Sequence, residues 1–263
     1  MAGISFIGSG NVATVLGRLF LSAGVPVEGV WSHNPDHAAH LAKKLNCSVF
    51  KEISDIPPAG MPLIISVRDE AIVRVVSELQ HVNRIVVHTS GSVPLSALKG
   101  CGGPTGVLYP LQTLSANLQE IPVQIPFCIE ASDMQTLLKI RELASKISEK
   151  IYEVNSEQRR WLHLAAVVAC NFPNLMYDIA MRIAGQAGLQ AELLRPLITE
   201  TARKVQQASA DKVQTGPAMR RDTAVMERHL QLLENSPEWQ KIYRVLSDEI
   251  IRLHHGNNST SKE

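Results

Sequence analysis

Short runs of aliphatic and β-branched residues alternate with amphipathic stretches through the first half of the 263-residue chain. The runs Ile4–Ile7, Val27–Trp31, Pro62–Val67, Arg84–His88, Gly106–Leu108 and Pro126–Glu130 predict strands. Between and after them, apolar residues recur at helical spacing in Val12–Ala23, Asp36–Leu45, Glu70–Leu79 and Leu137–Ile147. Strands separated by helices form parallel βαβ units, so residues 1–154 are expected to build a doubly wound, mostly parallel sheet. After Val154 the pattern changes and predicts only helices, over Ser156–Ala187, Ala191–Ala208, Pro217–Glu234 and Pro237–His255. Pro173 is expected to kink the first of these. Pro217 and Pro237 sit where a first helical turn accepts proline. The expected organisation is therefore an α/β domain over 1–154, an all-α domain over 155–255 and a frayed tail over 256–263.

The first strand runs directly into Gly8-Ser9-Gly10-Asn11-Val12-Ala13, a GxGxxA pattern that opens a helix. Gly8 permits the tight turn, Gly10 lets the backbone approach a pyrophosphate, and Ala13 keeps the helix close to the sheet. Unpaired N–H groups and the positive end of the helix dipole then face the anion. This is the phosphate loop of a Rossmann domain, and it predicts that Gly8, Ser9, Gly10, Asn11 and Val12 contact a nicotinamide dinucleotide. The second strand ends in Ser32-His33-Asn34, with no carboxylate to hold a ribose 2′-hydroxyl; Asp36 arrives later. These three side chains are donors suited to a 2′-phosphate, so NADP(H) is expected over NAD(H), although no arginine adjoins them. Val67-Arg68 and Ser90-Gly91 follow two further strands, at the carboxyl edge where open α/β sheets bind ligands. Gly91 would admit backbone near the nicotinamide ribose. Asp69 reads as a helix N-cap.

Composition removes several classes of function. Net charge is +1, which leaves no electrostatic footprint for nucleic acid or an acidic membrane. Cys47, Cys101, Cys128 and Cys170 form no CxxC pair, so no metal site is expected and a reducing cytoplasm fits. The most apolar stretch, Leu164–Ala184, carries Asn171, Pro173, Asn174, Asp178 and Arg182, a load that argues against a membrane span. The N-terminal residues lack the basic region of a secretory signal. No HExxH, GxSxG or P-loop pattern occurs. Tyr109, Tyr152, Tyr177 and Tyr243 have no lysine four residues on, as a short-chain dehydrogenase would need.

Five further motifs appear in order: Val67-Arg68-Asp69-Glu70-Ala71-Ile72, His88-Thr89-Ser90-Gly91-Ser92, Leu108-Tyr109-Pro110-Leu111-Gln112-Thr113, His163-Leu164-Ala165-Ala166 with Cys170-Asn171-Phe172, and Thr215-Gly216-Pro217-Ala218-Met219-Arg220-Arg221-Asp222. Together they resemble the Rossmann-like proteins that carry a domain of unknown function numbered 2520, relatives of pyrroline-5-carboxylate reductase, ketopantoate reductase and 6-phosphogluconate dehydrogenase. The resemblance covers nearly the whole chain. It implies an NADP-type oxidoreductase whose C-terminal all-α domain is like that of 6-phosphogluconate dehydrogenase and serves dimerisation. It implies no substrate. The pattern of that family is TGPxxRGD, and here Arg221 stands in place of its glycine.

Hydride transfer needs a proton donor or acceptor beside the reacting C=O or C=N bond, and the cleft between the two domains is the expected place. His163, Val167 and Asn171 share one helical face. Ketopantoate reductase-like enzymes use a Lys and Asn at such spacing, and His163 would occupy the lysine position. His163 is therefore the candidate acid, because histidine is the side chain whose unperturbed charge change falls near neutral pH, and Asn171 the candidate for orienting a substrate oxygen. Both residues read equally as packed polar groups, Asn171 beside the Pro173 kink. Tyr109 and Gln112 are candidates to line the substrate side, although a tyrosine packed beneath a proline turn reads as well. Thr215 is a candidate for substrate contact and for the cap of the following helix, and Arg220 on its first turn is suited to a substrate carboxylate, hence the expectation of a small anionic metabolite. A dinucleotide-sensing protein without turnover and a deazaflavin-dependent reductase stay open as alternatives. Apolar residues such as Leu193, Leu194, Leu197, Ile198, Leu230, Leu232 and Leu233 exceed what four lone helices can bury, which predicts a homodimer.

Overall fold

A computed structural model describes residues 3–116 and 124–256. The expected tail therefore lies outside the described residues, apart from Gly256. The chain divides into two compact units, Met1–Asn171 and Phe172–Glu263.

The first unit is built on an eight-stranded sheet: β1 (Ile4–Ile7), β2 (Val27–Trp31), β3 (Ser48–Val49), β4 (Leu63–Ile65), β5 (Val86–His88), β6 (Thr105–Pro110), β7 (Phe127–Ala131) and β8 (Ile151–Glu153). Their spatial order is β3-β2-β1-β4-β5-β6-β7-β8, parallel throughout except for the β6–β7 pair. The strands expected from the hydrophobic runs are present. The two edge strands β3 and β8, two and three residues long, are additional. Helices α1 (Asn11–Ser22), α2 (Pro35–Leu45) and α4 (Met134–Ser145) contribute to one face, and α3 (Ile72–Ser77) to the other.

Successive strand residues point to opposite faces, and the core is split accordingly. Ile4, Phe6, Ile64 and Val87 join Leu16, Phe20, Leu41 and Ile140 on one side. Ile7, Leu63, Ile65 and Val86 join Ile72, Val75 and Val76 on the other. Burial on both faces is why these strands read as unbroken apolar runs in the sequence.

A third, smaller cluster forms where α5 (Ser156–Ala166) packs on β6 and β7: Val107, Tyr109 and Cys128, with Leu162 and Val154 against them. Polar contacts fix α5 there. Asn155 and Gln158 form a capping box at its start. One turn on, the Arg159 side chain is fully buried; it donates through Nη1 to Glu130 of β7 and through Nη2 to the carbonyl of Val93, 2.7 Å away. Ser156 Oγ donates to Glu130 Oε2 at 2.8 Å and accepts the Leu95 N–H at 2.9 Å.

A π turn, Val167–Asn171, follows α5 and leads into α6 (Phe172–Gln186). Pro173 has no N–H for the carbonyl four residues before it, and a wider turn is one way a helix absorbs that loss. The local irregularity before Pro173 is thus a π turn. By length and composition alone the run Ser156–Gln186 could cross a membrane, with a mean hydropathy of 1.3.

The second unit holds α6 with α7 (Arg195–Gln207), α8 (Ala210–Val213), α9 (Thr223–Leu232) and α10 (Pro237–His255). The expected helix over 217–234 is shorter. Gly216 has φ +113° and Arg221 φ +51°, so residues 216–221 form a turn. The cap of α9 is Asp222, whose side chain accepts the Val225 N–H at 3.1 Å, and not Thr215. Arg220 accordingly lies before the helix rather than on its first turn. The left-handed φ of Arg221 also explains the glycine of the family pattern, since only glycine adopts it without cost.

His88, at the end of β5, is wholly buried, and its Nδ1 accepts the Ser90 N–H at 3.1 Å. Burial and the nearby Arg159 guanidinium push its pKa down from 6.5 to about 4. A group that is neutral when folded but takes a proton when unfolded makes stability fall as pH drops from 6.5 towards 4, and the contribution is complete above that window. Urea titrations across that range should show a loss of about 3 kcal/mol in the parent chain. His88→Asn, which keeps an acceptor for Ser90, should flatten the dependence; equal slopes would remove His88 as its source.

Candidate functional site

The turn after β1 has the geometry that the sequence required of it. Gly8 has φ +110°, and a Cβ there would lie 2.3 Å from the Ser66 carbonyl oxygen, so β1 and β4 close up only around glycine. A Cβ on Gly10 would meet nothing within 4 Å, which leaves open space over the start of α1. No side chain caps α1, and its first turn carries no acidic residue. Ala13 is fully buried against the sheet. An uncapped helix start facing open space is an anion cradle, and it fits a dinucleotide pyrophosphate.

Two cavities flank this turn. The first, about 630 Å³, is lined by Gly8, Ser9 and Gly10, by Ser32, His33, Asn34 and His37 at the end of β2 and start of α2, and by Val67, Arg68 and Arg74 beyond β4. It gathers most of the expected cofactor residues. Ser9 Oγ donates to Ser32 Oγ at 2.9 Å, tying the phosphate loop to β2. Asn34 has a structural task as well: its Oδ1 accepts the Asp36 and His37 N–H groups and caps α2, a contact that does not use its Nδ2 donors. Arg74 was missed by sequence reasoning because it sits some forty positions from the Ser32-His33-Asn34 turn. The adjacency of β1 to both β2 and β4 brings the two regions onto one cavity.

The second cavity, about 620 Å³, is lined by Val12, Thr89, Tyr109, Gln112, Leu162, His163, Val167, Cys170 and Asn171 among others. It collects His163, Asn171, Tyr109 and Gln112, the four candidates expected there from the first unit, and Val12 faces it rather than the first cavity. His163, Val167 and Asn171 all reach it despite the π turn between them. Tyr109 Oη lies 3.1 Å from His163 Nδ1, with the rings edge to face at 6.0 Å. Burial raises the Tyr109 pKa, so the phenol stays protonated. The Gln112 amide oxygen accepts from its neighbour Thr113, leaving its amino group free of that contact.

The loop after β5 supports this pair. A Cβ on Gly91 would lie 2.7 Å from His163 Nδ1 and 2.9 Å from Tyr109 Cζ. Glycine is therefore required here by the His163–Tyr109 contact, a reason different from the expected approach to a ribose. Ser90 is also engaged locally, its Oγ accepting the Ser92 and Val93 N–H groups, each at 3.1 Å. Asp69 is not the expected N-cap; it accepts the Ser92 hydroxyl and links the ends of β4 and β5. Asn11 Oδ1 accepts the Ala116 N–H at 3.1 Å, so its side chain holds the loop after β6. Thr215 and Arg220 belong to the second unit, where the Thr215 carbonyl accepts from Gln214 and the Arg220 N–H reaches the Gly216 carbonyl. Among the described residues no cluster of His, Cys, Asp and Glu could hold a metal ion.

Comparison with known proteins agrees with this geometry. Residues 3–91 match the family described as NADP oxidoreductase, coenzyme F420-dependent, and residues 125–250 match the domain of unknown function DUF2520. No curated protein sequence matches the chain. A crystal structure from Bacteroides fragilis, assigned as an NADP oxidoreductase, is 35% identical with a TM-score of 0.90, over 95% of this chain and 98% of that one. A pyrroline-5-carboxylate reductase from Streptococcus pyogenes shares the fold at 13% identity and TM-score 0.65, covering 95% of this chain and 98% of its own. A reductive aminase from Aspergillus terreus, in complex with NADPH and ethyl-5-oxohexanoate, does so at 15% identity and TM-score 0.70, covering 97% and 96%. With a relative this similar over almost its whole length, the chain belongs to the family of Rossmann-type NADP oxidoreductases that carry DUF2520 behind the dinucleotide-binding fold.

Proposed function

We propose that this protein is a reductase that takes NADP(H) on the cradle at Gly8-Ser9-Gly10 and reduces a C=O or C=N bond in the cavity beside His163. The observation that carries this reading is the His163–Tyr109 pair, which lines a cavity next to the phosphate loop. When bound, the nicotinamide supplies the hydride. Residues 1–154 hold the dinucleotide, and residues 155–255 supply the acid and the subunit contacts.

His163 delivers the proton. As the imidazolium, His163 donates its Nδ1–H to the Tyr109 hydroxyl oxygen and passes its Nε2 proton to the substrate oxygen or nitrogen, which leaves a neutral imidazole. Tyr109 then orients the ring so that Nε2 is the nitrogen left for the substrate. Asn171 holds the substrate heteroatom, and Gln112 offers a second amide. Leu111, Leu114, Leu162, Ala165 and Ala166 make most of the wall apolar, and among the described residues no Lys, Arg, Asp or Glu lines the cavity. The negative charge expected on the substrate thus has no cationic partner around this cavity, and we propose that the reacting end is a neutral carbonyl or imine.

The protein works as a homodimer. In the second unit Ala218 and Leu233 are the buried apolar residues among those described, while Leu175, Leu193, Leu197, Leu232 and Leu253 are exposed. Helices so bare need cover. A second copy is favoured over a membrane as the cover of Ser156–Gln186. That run carries the buried Arg159 and an Asp178–Arg182 ion pair at 2.8 Å. Free cysteines suit a reducing cytoplasm.

Screening carbonyl and imine substrates by loss of NADPH absorbance tests the reaction. His163→Ala should lower kcat by about 10²- to 10⁴-fold, the usual worth of a general acid, with NADPH affinity unchanged. Asn171→Ala should raise KM as well. NADPH binding without turnover on any substrate would favour the sensing alternative, and turnover only with a reduced deazaflavin would favour the other. Sedimentation at micromolar concentration without detergent should give twice the chain mass of 28.8 kDa; a monomer would refute the dimer.

A further inference from the structure

We infer that Arg74 on α3, rather than the turn after β2, is the side chain that reads the 2′-phosphate and so sets the preference for NADP(H) over NAD(H). This rests on the NADP(H) reading above and adds the residue that enforces it.

A 2′-phosphate differs from a 2′-hydroxyl chiefly by charge, so a protein that tells them apart needs a fixed cation at that point. The end of β2 provides none. Asn34, whose Oδ1 caps α2, and Ser32, whose Oγ accepts from Ser9, are both uncharged donors. His33 and His37 line the cavity, but a histidine side chain is not a permanent cation as a guanidinium is. The two guanidiniums come from the opposite wall. Arg68 sits in the turn after β4 with its side chain 89% exposed, and it lies 3.9 Å from Glu70. Arg74 forms no ion pair among the described residues and lines the same cavity as His33, Asn34 and His37. Its helix is anchored by the buried side chains Ile72, Val75 and Val76, so the guanidinium projects from a fixed base. No carboxylate stands at the end of β2 to repel a phosphate, and Glu70, on the same wall as Arg74, is drawn towards Arg68. A guanidinium can hold two phosphate oxygens at once, and a ribose hydroxyl offers it no charge.

The consequence is a specificity carried by one residue on a different strand–helix unit from the expected donors. The test compares Kd values of the full-length protein for two ligand pairs: NADPH against NADH, and 2′,5′-ADP against 5′-ADP. The second pair isolates the phosphate from the nicotinamide. Arg74→Ala should weaken NADPH and 2′,5′-ADP about 10- to 100-fold, the worth of a charged bidentate contact, and leave NADH and 5′-ADP within about twofold. Arg74→Lys should fall between. Because Arg74 is exposed, thermal unfolding should be unchanged. The inference is overturned if Arg74→Ala shifts both members of a pair equally or neither, or if Arg68→Ala alone removes the discrimination. A parent protein that binds NADPH and NADH equally would instead overturn the NADP(H) reading itself.

Discussion

The placement of His163 in the candidate site depends on one buried guanidinium. Arg159 is the largest fully buried side chain among the described residues, and its contacts join three separate pieces of chain: α5, β7 through Glu130, and the loop after β5 through the Val93 carbonyl. Removing a charge of this kind from water costs several kcal/mol, which only close partners repay. Arg159 therefore fixes α5 in one rotation and one depth against the sheet. One helical turn further on, that rotation presents His163 to Tyr109 and to the Cα of Gly91. Tyr109 comes from β6, Gly91 from the loop that Val93 belongs to. The same contact that holds the helix also aligns the three groups that meet at the imidazole.

The dinucleotide side is organised differently. There the constraint is backbone: Gly8 lets β1 and β4 approach, and α1 begins without a cap. The first turn of α1 stands between the two cavities, with Gly8, Ser9 and Gly10 lining one and Val12 the other. A ligand lying across the loop would meet charged and polar groups at one end and the imidazole at the other. This is the division that a nucleotide redox cofactor needs: electrostatic grip on the adenosine end, a neutral and largely apolar chamber around the reacting end.

Features set by local sequence were legible. The doubly buried strands announced themselves as apolar runs, and the phosphate loop by its glycines between a strand and a helix. His163, Asn171, Tyr109 and Gln112, marked by helical spacing and the YPLQT motif, line one cavity. Features set by tertiary contact were not. β3 and β8 are too short to show a period of two. Thr215 resembled a cap, but the positive φ of Gly216 and Arg221 delays the helix until Asp222. Asp69 resembled one too, until β5 brought Ser92 within reach. Arg74 looked like an ordinary surface residue of an amphipathic helix, and Arg159 like one more charge beside Arg160. A signal for Arg159 did exist, since it shares its helical face with Leu162 and His163, the face that a packed helix turns inward.

The central claim is that the Arg159–Glu130 contact positions His163. It is tested most directly by replacing both partners together, Arg159→Met with Glu130→Leu, so that no lone buried charge remains. The ¹⁵N shift of His163 Nδ1, assigned by its absence in His163→Ala, reports the hydrogen bond with Tyr109. The account predicts that this signature is lost in the double variant while NADPH still binds as in the parent. A His163 resonance unchanged from the parent would contradict it.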